Sequence, residues 1–185
     1  MFMKRLKAAL ASDPWVVLDT ETTGIGPGAE AVQIGVLSSD GDVLMDTLVQ
    51  PLRPIPPDAV AIHGITNAMV AGAPKISDVC DELRALLTDH HCVVYNAEYD
   101  LGILKSSTNM RGLLIDWSRT PLSWLCAMRT YAEFKGEPGR RPGDFRWHKL
   151  GVACQHQGIP VLDAHSAIAD CRMTLQLVRK LLASR

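Results

Sequence analysis

The chain has 185 residues, 47% of them hydrophobic, and a formal net charge of −1. That length suits one domain over residues 1–185, and the composition excludes a disordered chain. The near-zero charge excludes a global basic field, so a polyanionic partner must be met by local patches or by bound metal.

Met1–Lys7 is basic and Ala8–Ala11 apolar. The apolar part is too short for a secretory leader, and a short amphipathic helix is expected there. No apolar run approaches the ~20 residues of a membrane span. Trp15–Asp19 reads as a buried strand that ends at the loop Gly24-Ile25-Gly26-Pro27-Gly28. Ala31–Leu37 and Val43–Val49 are two further strands joined by a turn at Ser38–Asp42, completing an antiparallel meander. The prolines of Pro51–Pro57 forbid helix and sheet interior. Asp58–Ile62 is a helical turn, and Thr66 is placed to cap a short helix ending near Gly72. Ile76–Leu87 is an amphipathic helix with Ile76, Val79, Cys80, Leu83, Leu86 and Leu87 on one face.

Cys92–Val94 is a fourth strand and Leu113–Ile115 the expected fifth. Helices are expected over Ala97–Ser106, Ser123–Phe134, His148–Gln157 and Ser166–Leu182, with Gly136–Gly143 a loop. Three strands followed by alternating helices and strands predict an α/β fold, a mixed five-stranded sheet flanked by helices. The five cysteines, Cys80, Cys92, Cys126, Cys154 and Cys171, are odd in number and form no C-x-x-C pair. They read as reduced core residues in a cytoplasmic protein, against a disulfide framework or a structural zinc site.

Chemistry concentrates in three patches: Asp19-Thr20-Glu21-Thr22-Thr23-Gly24, Tyr95-Asn96-Ala97-Glu98-Tyr99-Asp100 and His165-Ser166-Ala167-Ile168-Ala169-Asp170. Each lies at the edge of an apolar segment, where acids are costly without a positive partner. Hard divalent cations are the natural partner. Asp19 and Glu21 are two apart on a strand, on one face, with Cα atoms roughly 6.6 Å apart. Asp100 by itself reads as a first-turn acid favouring the helix dipole, with Asn96 as its cap and Tyr99 in the core. His165 and Asp170 would diverge by about 140° on one ideal helix. They converge only if His165 lies in the loop before the helix, which an irregular Pro160–Ala164 permits. Four acids and a histidine supply what metal-assisted phosphodiester hydrolysis needs, the histidine accepting the proton of the attacking water. The other histidines read as ordinary surface or core residues, His63 being a partial exception.

This set resembles the DEDDh, or DnaQ-like, 3′–5′ exonuclease family. The three patches match its three motifs, the last as His-x-Ala-x-x-Asp, and Ala61-Ile62-His63-Gly64-Ile65-Thr66 matches the loop between the first two. Leu48–Val79 is most similar to the family's exonuclease X type. The resemblance implies an RNase H-like fold. It implies that Asp19, Glu21 and Asp170 hold one Mg2+ or Mn2+ ion, that Asp19 and Asp100 hold a second, and that His165 is the general base. It places Thr20, Thr22, Thr23, His63 and Ile65 near the terminal nucleotide. The second motif departs from the family pattern: Tyr95 stands where a histidine is usual and Tyr99 where a phenylalanine is. No metal ligand is lost, so activity is expected with altered substrate positioning.

The expected substrate is the 3′ end of DNA, released as nucleoside monophosphates. RNA as substrate, and an inactive nucleic-acid-binding module, are the rival readings. A separate stretch, Arg140–Lys149, mixes basic residues with Phe145 and Trp147. It reads either as a grip on a phosphate backbone with a stacking aromatic or as a solvated loop anchored by its aromatics.

Overall fold

The computed structural model describes residues 1–162 and 165–184. Five strands form one sheet: β1 (Trp15–Thr22), β2 (Ala31–Ser38), β3 (Val43–Leu48), β4 (His91–Val94) and β5 (Ser123–Cys126), in the order β3-β2-β1-β4-β5. β1 to β3 are the expected antiparallel meander, while β1, β4 and β5 run parallel. The carboxyl ends of three strands therefore share one edge, the place where open α/β sheets put their sites.

Helices cover both faces. α1 (Phe2–Ser12), α6 (Ala127–Lys135), α7 (Leu150–His156) and α8 (Ala167–Ala183) pack on one face, against Val17, Leu37, Val93 and Leu125. α4 (Ile76–Leu87) and α5 (Ala97–Asn109) pack on the other, against Val16, Leu18, Ile34, Val36, Cys92 and Val94. Strand alternation does the sorting: odd-numbered side chains of β1 look toward α8 and even-numbered ones toward α5. α2 (Pro57–His63) and α3 (Asn67–Val70) close a small third cluster of Val32, Ile55, Ala59, Ile65 and Val70. Gly64, in the left-handed region at φ 73°, ends α2 with its N–H on the Val60 carbonyl. Thr66 Oγ1 accepts from Met69 N–H at the start of α3.

The fifth strand is not where the sequence suggested. Leu113–Ile115 is irregular chain leading into a 3₁₀ turn at Trp117–Arg119, and Leu114 is 93% exposed. The strand is Ser123–Cys126, and the expected helix begins four residues later, at Ala127. Pairing with β4 decides this, because a four-residue apolar run carries no period of its own. α7 likewise starts at Leu150 rather than His148, whose carbonyl is taken by Tyr95.

Candidate active site

Asp19 and Glu21 stand at the carboxyl end of β1, opposite Gly35 and Gln33 of β2. Those two partners bring in α8. At Gly35 a Cβ would lie 2.9 Å from the Ala167 backbone carbon, so only glycine lets the helix start so close to the sheet. Gln33 Oε1 accepts from Ala167 N–H at 3.1 Å, and its Nε2 donates to Asp46 at 2.8 Å. The first turn of α8 is thus pinned beside β1, and Asp170 falls next to the two strand acids. One carboxylate oxygen from each of Asp19, Glu21 and Asp170 lies within 4.8 Å of the others.

Asp100 arrives from the opposite face. It sits in the first turn of α5, 4% exposed, and its Oδ1 accepts from Thr20 N–H at 3.1 Å and Thr20 Oγ1 at 2.7 Å. Thr20 points toward α5 because it alternates with Asp19 and Glu21. Asp100 stands beside the trio rather than inside it.

The acids repel one another. Burial raises Asp19 well above the carboxylate range, and Asp100, Asp170 and Glu21 push it further. Glu21 is raised to about 7, by burial first and then by Asp170 and Asp100. Burial lifts Asp100 to about 7 against the lowering effect of its Thr20 bonds. Asp170 also rises through burial, held back by His165. A cation would relieve such a set, and its oxygen spacing fits one: ligands at about 2.0–2.6 Å from a hard ion lie a few ångströms apart.

His165 is exposed, with its backbone in the left-handed region at φ 73° and its N–H on Asp170 Oδ1 at 3.4 Å. It does lie ahead of α8, whose N-cap is Ser166. Of the loop expected over Pro160–Ala164, residues 163 and 164 lie outside the described residues.

The five residues expected near the nucleotide are tied into the protein by bonds and burial. His63 Nδ1 accepts from Ile65 N–H at 3.0 Å, which leaves the proton on Nε2 to donate to the Thr22 carbonyl at 3.1 Å. Burial lowers His63, favouring that neutral form. Thr22 Oγ1 meets Tyr99 Oη at 2.7 Å, and Thr23 Oγ1 accepts from Glu30 N–H at 3.0 Å. Ile65 is buried and Thr20 is engaged by Asp100.

Some residues do work the sequence did not announce. Tyr99, expected in the core, is half-buried and bonds Thr22 and the Gly24 carbonyl. Asn96 occupies the N-cap of α5 without a side-chain capping bond. Tyr95 is buried and donates to the His148 carbonyl at 2.7 Å. Gln33 and Gly35 went unread; a glycine inside the apolar run Ile34-Gly35-Val36 was the available sign of a close approach.

The exonuclease family's sequence profile (RNase_T) matches residues 16–178. The chain belongs to the DnaQ-like exonuclease family. It is 44% identical over 169 residues to exonuclease CP81 of Escherichia phage 186, covering 90% of this chain and 87% of that one. Exodeoxyribonuclease 10 of Escherichia coli K12 is 33% identical over 168 residues, covering 88% of this chain and 66%, just under two thirds, of its own length. The solved structure of exonuclease X in complex with 5′ overhanging duplex DNA superposes with a TM-score of 0.67 at 28% identity, covering 91% of this chain and 90% of that one. The fold is accordingly RNase H-like, and the chain is an exonuclease of this family acting on nucleic acid. No described helix is long and apolar enough to cross a membrane.

Proposed function

We propose that the chain is a cytoplasmic, single-domain 3′–5′ exodeoxyribonuclease that needs Mg2+ or Mn2+ and releases nucleoside 5′-monophosphates. One observation carries this: two carboxylates of β1 and one of the distant α8 offer oxygens within 4.8 Å of one another, a charge arrangement that calls for cations. The names of exodeoxyribonuclease 10 and of the DNA complex of exonuclease X support DNA as the substrate.

Asp19, Glu21 and Asp170 would hold one cation, and Asp19 with Asp100 a second. When bound, such a pair polarises a water and stabilises the leaving oxygen of the phosphodiester. His165, exposed beside Asp170, would accept a proton from the attacking water, a role imidazole fills near neutral pH. Its left-handed backbone is a strain of the kind held at working sites. The clip from His63 to Thr22 and the Tyr99 bonds fix the floor against which the terminal nucleotide would rest.

The test is a time course on matched end-labelled DNA and RNA oligomers with Mg2+, Mn2+ or EDTA. A 5′-labelled DNA that shortens stepwise from its 3′ end, only with metal, is expected. Full cleavage in EDTA, or preferential loss of RNA, rejects the proposal.

A further inference from the structure

We propose that the hairpin 137–147, between α6 and α7, is a docking surface for the single-stranded DNA that trails the reacting 3′ end. The proposal rests on the exonuclease reading and adds an element outside its catalytic set.

The segment is a built ribbon. Gly139 N–H donates to the Asp144 carbonyl at 2.8 Å, Arg146 N–H to the Glu137 carbonyl at 2.9 Å, and Pro138 bridges Phe145. Arg140, Arg141 and Arg146 are exposed on it. Its acids offset them only in part: Glu137 is shared among Lys135, Arg146 and His148, and Asp144 is the one further acid beside Arg140 and Arg141, so the ribbon keeps a positive balance. A basic ribbon on a chain of net charge −1 is a local patch of the kind a polyanion needs. Both aromatics face solvent, Phe145 at 40% and Trp147 at 58% exposure.

Two contacts tie the ribbon to the start of α5. The Tyr95 hydroxyl fastens its foot, at the His148 carbonyl, to the end of β4, directly ahead of Asn96–Asp100. The Arg129 guanidinium lies 5.5 Å from the Trp147 ring centroid and pairs at 2.7 Å with Glu98, in the same first turn of α5 as Asp100. The Trp147 ring is thereby held near the helix that carries a catalytic acid. Arginines on phosphates and a base on an indole are the usual grip on a single strand.

Binding is read in EDTA, so that nothing is cut, by anisotropy of a 5′-labelled oligo-dT of about 12 nucleotides over roughly 50–200 mM salt. Arg140→Ala/Arg141→Ala/Arg146→Ala should reduce the steepness of log affinity against log salt by about 2, three single-strand phosphate contacts at about 0.7 each. The corresponding triple Arg→Lys variant should keep the steepness. Trp147→Ala should weaken binding about tenfold with the salt dependence unchanged. Melting curves check folding. A folded triple alanine variant with the wild-type slope overturns the proposal, as does a lysine variant that loses the slope as fully as the alanine one. If the triple alanine variant does not fold, wild-type affinity in Trp147→Ala overturns it. A wild-type chain that binds oligo-dT yet leaves it intact with both Mg2+ and Mn2+ rejects the exonuclease reading and not the hairpin.

Discussion

Asp19 carries the conflict of the site: burial and three acids oppose its charge, yet the ligand role proposed for it requires that charge. Replacing it should separate stability from activity. Asp19→Asn is expected to lower turnover on the order of 10³-fold or more. It should also raise the metal-free melting temperature, since the amide removes the charge that burial and the neighbouring acids oppose. A lower melting temperature would contradict the repulsion. Glu21 gives the pH counterpart. Its ordinary value is 4.5 and its folded value about 7. Between the two, the folded chain keeps a proton that the unfolded chain has released, so stability is greatest below about pH 4.5 and declines as pH rises toward 7. Glu21 is only 9% exposed, so screening is small and the loss reaches at most about 3 kcal/mol. Melting scans in EDTA should show a flatter pH dependence for Glu21→Gln than for wild type; parallel curves would refute the assignment. The meeting of Asp19, Glu21 and Asp170 was legible because the chemistry restricts residue type and spacing at the motifs. The Thr20–Asp100 bond was not, since it depends on where α5 lands against β1.

Gly35 is where strand and helix meet, and its substitution tests how the third motif is delivered. Gly35→Ala puts a methyl 2.9 Å from the Ala167 backbone, where no flexible side chain can yield. The start of α8 must shift, at a cost of about 1–3 kcal/mol. Asp170 moves with it, so turnover should fall further than the lost stability explains at a temperature where the variant is folded. Full turnover in a destabilised Gly35→Ala protein would show that Asp170 tolerates displacement. The same logic explains which elements were readable. The meander and α4 follow from alternation and a 3.6-residue stripe, which are local properties. β5 was misplaced because Leu113–Ile115 has the apolar look of a strand but no open sheet edge beside it. Ser-Trp-Leu-Cys, a plausible helix opening, finds one along β4.

The whole molecule is two apolar layers closed around a sheet, with the repelling acids collected at one edge. Cations at that edge should act on the entire fold. At pH 8, Mg2+ or Mn2+ at about 100 times its dissociation constant should add about 2.7 kcal/mol, a melting-temperature rise of roughly 5–10 °C. Asp19→Asn should lose most of that rise. A wild-type melting curve indifferent to metal would dismiss the cation site. The distribution of the four indoles offers an optical handle on the same molecule. Trp117 is fully enclosed, Trp15 and Trp124 are half-covered, and Trp147 alone is more than half open to water. A collisional quencher such as acrylamide should therefore dim chiefly one fluorophore, and an incoming oligonucleotide that shields it would report its arrival without any dye.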